Sequence, residues 1–344
     1  MHEAKIMSGH TTTEDAVNPR PLVTICMPAY NYGHFIEQAV RSAFAQDYRP
    51  LDLVVVDDGS TDDTLAVLTR LKSESPIPME VVKGDHKGVS AAMNLALKHA
   101  KGEWLCMLHA DDWARADRVS KQVAAAGPSD VLVHSEYVSV DPEGRPTAYD
   151  SSTDLPPVHG DALRKLVLLE GDIRSMTMMF RRSALVEVGA FDESLPVEDW
   201  QSALRLAKRG SIAHVNEQLV FRRVHATSVS FTSHRKKKTF SMKELGIDVL
   251  REVCPADIPF DRVGVIHASV VIRNAMAMGA WEKVADGIRQ CWDAFPTERA
   301  LLLRSCSRGF ISYAWVNALR PHTPPFILKL LLGLKAQLIQ ARYR

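Results

Sequence analysis

Between residue 21 and about residue 133, short apolar runs alternate with longer segments in which apolar residues recur at helical spacing. Runs at 22–27, 53–56, 79–82, 104–108 and 130–134 are predicted as strands, and the segments 34–46, 62–73, 89–100 and 115–126 as helices. Turn-forming residues stand between them: Asn31-Tyr32-Gly33, Asp58-Gly59-Ser60, Ser75-Pro76-Ile77-Pro78 and Gly127-Pro128. Nearly continuous apolar strands spaced by helices of this length predict an α/β fold with a doubly wound, mostly parallel sheet and flanking helices. In such sheets, polar residues at the carboxyl ends of strands line the ligand crevice.

Regularity stops at about 141–160, a stretch rich in Pro, Ser, Thr and Asp. Helix-like segments follow at 162–170, 183–188 and 199–209, and 212–224 reads as extended. Beyond the basic run Arg235-Lys236-Lys237-Lys238 the pattern is helical, interrupted by Pro255, Pro259, Pro296 and Pro321. The expected organisation is a disordered tail over 1–20, a catalytic-type α/β domain over 21–232 and a helical region over 233–344.

Composition narrows the class. With 46% hydrophobic and 24% charged residues in 344, the chain is an ordinary globular protein with room for a large core. A net charge of +1 argues against nucleic acid as a partner. The charge is unevenly placed, however: from Arg299 onward there are eight Lys/Arg and no Asp or Glu. Within that stretch, residues 326–339 are apolar at i, i+3, i+4 and i+7 with lysines on another face. Such a helix either packs on the domain or lies on an anionic membrane surface. Five cysteines without a C-x-x-C pair, and an N-terminus without an apolar leader, point to a reduced, cytoplasmic setting.

Two acidic clusters carry the candidate chemistry. Asp57-Asp58-Gly59-Ser60 ends the second apolar run, and His109-Ala110-Asp111-Asp112 ends the fourth. Taken singly, the first reads equally as an Asx-turn with Ser60 or Asp62 capping a helix, and Asp112 as the cap of the helix that follows. Taken together, paired carboxylates at two strand ends indicate one site for a polar ligand and a divalent cation.

Pro28-Ala29-Tyr30-Asn31, Val56-Asp57-Asp58-Gly59-Ser60-Thr61-Asp62, Gly88-Val89-Ser90-Ala91-Ala92-Met93-Asn94 and Ala110-Asp111-Asp112 follow one another at βαβ spacing. This series resembles the inverting glycosyltransferases of family 2, which have the GT-A fold, and the resemblance extends from about residue 21 to 225. It implies a nucleotide-sugar donor, probed by Pro28, Ala29, Tyr30, Asp57, Asp58, Asn94, His109, Ala110 and Arg222. It implies Mg²⁺ or Mn²⁺ held by Asp111, Asp112 and His225, and a saccharide or lipid-linked acceptor.

Gly189-Ala190-Phe191-Asp192-Glu193 with Glu198-Asp199 resembles the family's catalytic segment, which makes Asp199 the expected base and Glu198 the second choice. The sequence departs from the family twice. His109 stands at the first acidic position of the D-x-D-type motif, which the resemblance links to ribose contact. Met93 replaces a commonly basic residue, with Lys83 or Lys87 as possible compensation. A sugar-phosphate nucleotidyltransferase is the alternative of related architecture, but the stretch after the first strand lacks the Gly-rich, basic signature of that class. A second alternative is a degenerate subunit that binds nucleotide-sugars without catalysis. The joint presence of Asp111, Asp112 and Asp199 counts against it.

Overall fold

The computed structural model describes residues 20–147, 155–194, 198–225, 246–277 and 281–306. The N-terminal tail, the basic run at 235–238 and the amphipathic segment at 326–339 lie outside the described residues. Its centre is an eight-stranded sheet made of β1 (Val23–Ala29), β2 (Leu51–Asp57), β3 (Met79–Lys83), β4 (Trp104–Met107), β5 (Trp113–Ala114), β6 (Asp130–Val140), β7 (Met179–Arg181) and β8 (Ser211–Arg223). The spatial order is β3-β2-β1-β4-β7-β6-β8-β5. The first four of these pair in parallel, as do β6 and β8, whereas β7 and β5 run against their neighbours.

Helices cover both faces. α1 (Ile36–Phe44), α2 (Thr64–Glu74) and α4 (Arg118–Ala125) pack on one face, where Ile25, Met27, Leu53 and Val55 point. α3 (Val89–His99), α5 (Leu163–Val167), α6 (Arg182–Glu187) and α7 (Glu198–Ala207) pack on the other, against Cys26, Val54, Val56 and Met107. Consecutive residues of β1 and β2 thus enter different cores, so these strands read as unbroken apolar runs. The helices α8 (Ile247–Val253), α9 (Phe260–Ala277) and α10 (Trp281–Ala294) extend the second core. Leu250 and Val263 belong to the same buried cluster as Ala203 and Leu204 of α7.

The predicted strands and helices between 21 and 133 all form, with ends shifted by a few residues. Three differences matter. β7 was not predicted: at three residues it is too short to display an alternation, yet it bridges β4 and β6. β5, two residues long, escaped for the same reason. β6 runs to Val140 rather than stopping at His134. Two of its buried polar residues find partners: the His134 ring contacts the Val158 carbonyl oxygen at 2.8 Å, and the Ser135 N–H donates to the Thr177 hydroxyl at 2.9 Å, whereas the buried Ser139 hydroxyl has none among the described residues.

Candidate active site

Chain order reverses between β1 and β4, since β2 and β3 lie on one side of β1 and β4 on the other. That is a topological switch point, the place where open α/β sheets open a crevice beyond their carboxyl ends. Pro28 helps to form it. The Cys26 carbonyl accepts from Leu108 N–H across the β1–β4 ladder, so residue 28 faces the same side, where the ladder has already ended. A residue without an N–H costs nothing there.

On the β2 side of the crevice, Asp57 is 1% exposed and its Oδ1 accepts the Ser60 N–H at 3.2 Å. The Asp57 side chain thus closes a local turn, three residues on rather than the two of an Asx-turn, while among the described residues no donor reaches Oδ2. The β1–α1 and β2–α2 turns are laced together: Asn31 N–H to Ser60 Oγ (2.9 Å), Tyr32 N–H to Thr64 Oγ1 (2.9 Å), Gly33 N–H to Asp62 Oδ2 (2.9 Å) and Thr61 N–H to Asn31 Oδ1 (2.8 Å). Tyr30 stands out from this frame with its ring against His86, the centroids 4.3 Å apart. Ala29 and Ala110 are buried.

Two strand spacings away, about 10 Å across the sheet, the β4–β5 loop carries the acidic pair. His109, Asp111 and Asp112 present ligand atoms that all lie within 4.8 Å of one another. His109 Nδ1 is 3.6 Å from Asp112 Oδ2, and His225 Nε2 is 3.0 Å from Asp111 Oδ2. His225 is enclosed by Tyr32 and Phe35. Burial opposes ionisation of Asp111, but the His225 hydrogen bond and the charges of His109 and His225 prevail and hold its carboxyl below the usual range. Asp112 is pushed up, first by burial and then by the Asp111 charge beside it. Burial, and next the Asp111 carboxylate, also raise the Tyr32 phenol. A concentrated negative charge held by oxygen and imidazole donors suits a divalent cation.

The loop is braced from β8 by Arg223. Its N–H donates to Asp112 Oδ1 (2.8 Å), Nε to the Asp111 carbonyl (2.9 Å), Nη2 to Gln38 Oε1 (2.5 Å) and Nη1 to the Pro142 carbonyl. The guanidinium lies between the Phe35 and Trp113 rings, 4.3 and 4.8 Å from their centroids. Trp113 in turn stacks on Phe221. From below, Arg118 holds the Met107 carbonyl at 2.8 Å.

The other predicted site residues each have a definite place or partner. Arg222, expected at the donor, precedes Arg223 in β8, and alternation along the strand sets the two side chains on opposite faces. The sequence reading missed Arg223, although its two-residue spacing from His225 was a usable signal. Asp58 was expected at the nucleotide, yet both its carboxylate oxygens accept main-chain N–H groups, from Lys87 (3.1 Å) and Gly88 (2.8 Å). Asn94, expected at the donor, gives both its amide hydrogens to the Phe191 carbonyl and Glu193. His109, expected at the ribose, sits in the Asp111–Asp112 cluster, and His225 contacts Asp111. Asp112 caps no helix, since α4 begins after Asp117. Met93 is core, 1% exposed among the α3 contacts to the sheet. Glu198 and Asp199 open α7, and their side chains lie outside the described residues.

A mostly parallel sheet with an acidic pair at its switch point and helices on both faces is the GT-A architecture of glycosyltransferases. Residues 24–189, just under half of the chain, match the model of Glycosyl transferase family 2, and this segment is a domain of that family. An uncharacterized glycosyltransferase of Rickettsia felis is 28% identical over 194 residues, 54% of this chain and 32% of its own length. The hyaluronan synthase of Pasteurella multocida is 28% identical over 229 residues, 65% of this chain. The chain thus matches about a third of the first of these relatives and 23% of the second. Among solved structures, S. aureus TarS 1–349 in complex with UDP-GlcNAc superposes with a TM-score of 0.62 at 17% identity, covering 85% of this chain and 89% of that one. Among the described residues no helix is long and apolar enough to cross a membrane.

Proposed function

We propose that this protein transfers a single sugar from a nucleotide-diphosphate sugar, UDP-linked, to a hydroxyl of a saccharide or lipid-linked acceptor, inverting the anomeric carbon with the aid of Mn²⁺ or Mg²⁺. One observation carries this reading above the others: His109, Asp111 and Asp112 converge within 4.8 Å at the switch point, two strands from Asp57. That separation matches a nucleoside lying over β1 and β2 with its diphosphate reaching β4.

In this reading, Asp57 Oδ2 accepts from the base or ribose, Tyr30 lies against the base, and the main chain at Pro28, Ala29 and Ala110 borders the nucleoside. Asp111 and Asp112, with His109 and His225 at their sides, would hold the cation, and a cation held there would supply positive charge against the departing diphosphate. Asp199, in the first turn of α7, takes the proton from the acceptor hydroxyl. That oxygen bonds to the anomeric carbon from the face opposite the diphosphate, and the bond to the diphosphate breaks with its electron pair leaving on phosphate oxygen. Glu198 beside it is the second candidate base. The basic segment beyond Arg299 would bring the crevice to a lipid-linked acceptor at an anionic membrane surface, in the assembly of surface glycans.

The test is a panel of nucleotide-sugars assayed with Mn²⁺, with Mg²⁺ and with chelator, the product anomer being read by NMR. Metal-dependent transfer with inverted configuration is expected. Transfer undiminished by chelator, or retention of configuration, would count against the proposal.

A further inference from the structure

We propose that Asn94 is a positioning residue that ties the nucleotide side of the crevice to the helix bearing Glu198 and Asp199; its catalytic consequence rests on the glycosyl-transfer reading above. The connection begins at Asp58, whose carboxylate holds the Lys87 and Gly88 N–H groups at the entry to α3. In the second turn of α3, the Asn94 amide is engaged in both senses by one residue of a distant segment. Its Nδ2 donates to the Phe191 carbonyl at 2.8 Å, and its Oδ1 accepts the Phe191 N–H at 3.0 Å. The second Nδ2 hydrogen goes to Glu193 Oε1 at 2.9 Å. A side-chain amide paired both ways with a peptide group replaces a strand partner that this segment lacks.

The segment leaves α6 through a turn in which the Gly189 and Ala190 N–H groups donate to the Val186 and Leu185 carbonyls. Gly189 and Ala190 both have positive φ, +86° and +59°, and the second is a conformation that an L side chain adopts only when its surroundings impose it. Phe191, 2% exposed, meets Phe180 of β7 edge-on at 5.7 Å. From α7 itself, the Ser202 hydroxyl donates to the Ala190 carbonyl at 3.2 Å. Residues 189–193 are therefore gripped by α3 on one side and by the helix of the expected base on the other. With both of its N–H groups committed inside the protein, Asn94 has no donor left for a nucleotide.

Hydrogen exchange on the full chain without ligand tests the tie, and calorimetry with UDP and Mn²⁺ tests the rival donor role. Asn94→Asp keeps the acceptor for Phe191 N–H, loses both donors and faces Glu193 with like charge; adding Glu193→Gln returns one donor. In Asn94→Asp, exchange over residues 191–207 is expected to speed up about tenfold or more, with residues 23–29 and 57–62 at wild-type rates. The double variant is expected to recover much of the protection. UDP affinity is expected to stay within about twofold of wild type while turnover falls. If Asn94→Asp unfolds broadly, Ser202→Ala decides, with faster exchange expected over 189–207 only. Unaltered exchange in these variants, or a tenfold loss of UDP affinity with exchange unchanged, overturns the proposal. If wild type does not bind UDP yet the exchange pattern appears, the glycosyl-transfer reading fails and the tie stands.

Discussion

Arg223→Lys separates the charge at the brace of the acidic loop from its geometry. Arg223 is 5% exposed and sits between Phe35 and Trp113, with its guanidinium bonded to the Asp111 and Pro142 carbonyls and to Gln38. A lysine ammonium keeps the charge but cannot reach all three partners or lie flat between two rings. Two lost hydrogen bonds at about 1 kcal/mol each, with roughly 1–2 kcal/mol from a desolvated cation–π sandwich, predict a loss of about 3–4 kcal/mol. Because Arg223 also fixes the Asp111 main chain, Mn²⁺ affinity should fall about 10–100-fold, the range usual for groups that orient metal ligands. Urea unfolding gives the first quantity and Mn²⁺ titration followed by electron paramagnetic resonance the second. A variant that loses stability but binds Mn²⁺ as wild type does would refute the bracing role. One that loses neither would refute the packing argument as well.

Asp199→Asn should lower turnover by about 10²–10⁴ with UDP affinity unchanged, and Glu198→Gln should cost less; equal losses in both would leave the base unassigned between them. Burial pulls the His134 and His267 imidazoles down to about 4, so each is neutral in the fold while the unfolded chain protonates near its ordinary value of 6.5. The unfolded state then binds more protons between those limits, and stability present above about pH 6.5 declines as pH falls, by about 1.4 kcal/mol per unit for each histidine. His267→Gln, which can retain the bond to the Val167 carbonyl, should flatten that slope by about one histidine's share in urea unfolding between about pH 5 and 6; parallel curves would contradict this. Removal of the chain from Thr323 onward should abolish sedimentation with anionic liposomes and leave binding of UDP intact, whereas unchanged sedimentation would exclude the basic end as the membrane contact.

The parallel half of the fold was legible because β1 and β2 are apolar on both faces and its strands are separated by amphipathic helices. β7 was not, since three residues between Met178 and Arg182 carry no period; their place follows from pairing with β4 and β6, which only tertiary structure supplies. The acidic loop was legible as chemistry but not as geometry. Asp111 and Asp112 could be named from their position after an apolar run, whereas the partnership of His109 with them depends on how the loop turns. At the end of β8, strand parity made Arg223 rather than Arg222 the inward residue, and a sequence reading anchored on His225 by steps of two would have found it. Asp58 and Asn94 show the opposite limit. Their residue types suit a ligand, but main-chain groups from distant segments already occupy them.

The most direct measurement is anomalous diffraction at the manganese edge from crystals soaked with Mn²⁺ and UDP. A single strong peak bonded to carboxylate oxygens of Asp111 and Asp112, with the diphosphate on its far side and uracil near Tyr30 and Asp57, is the expected result. A peak elsewhere, or UDP bound with no manganese near those carboxylates, would contradict the account.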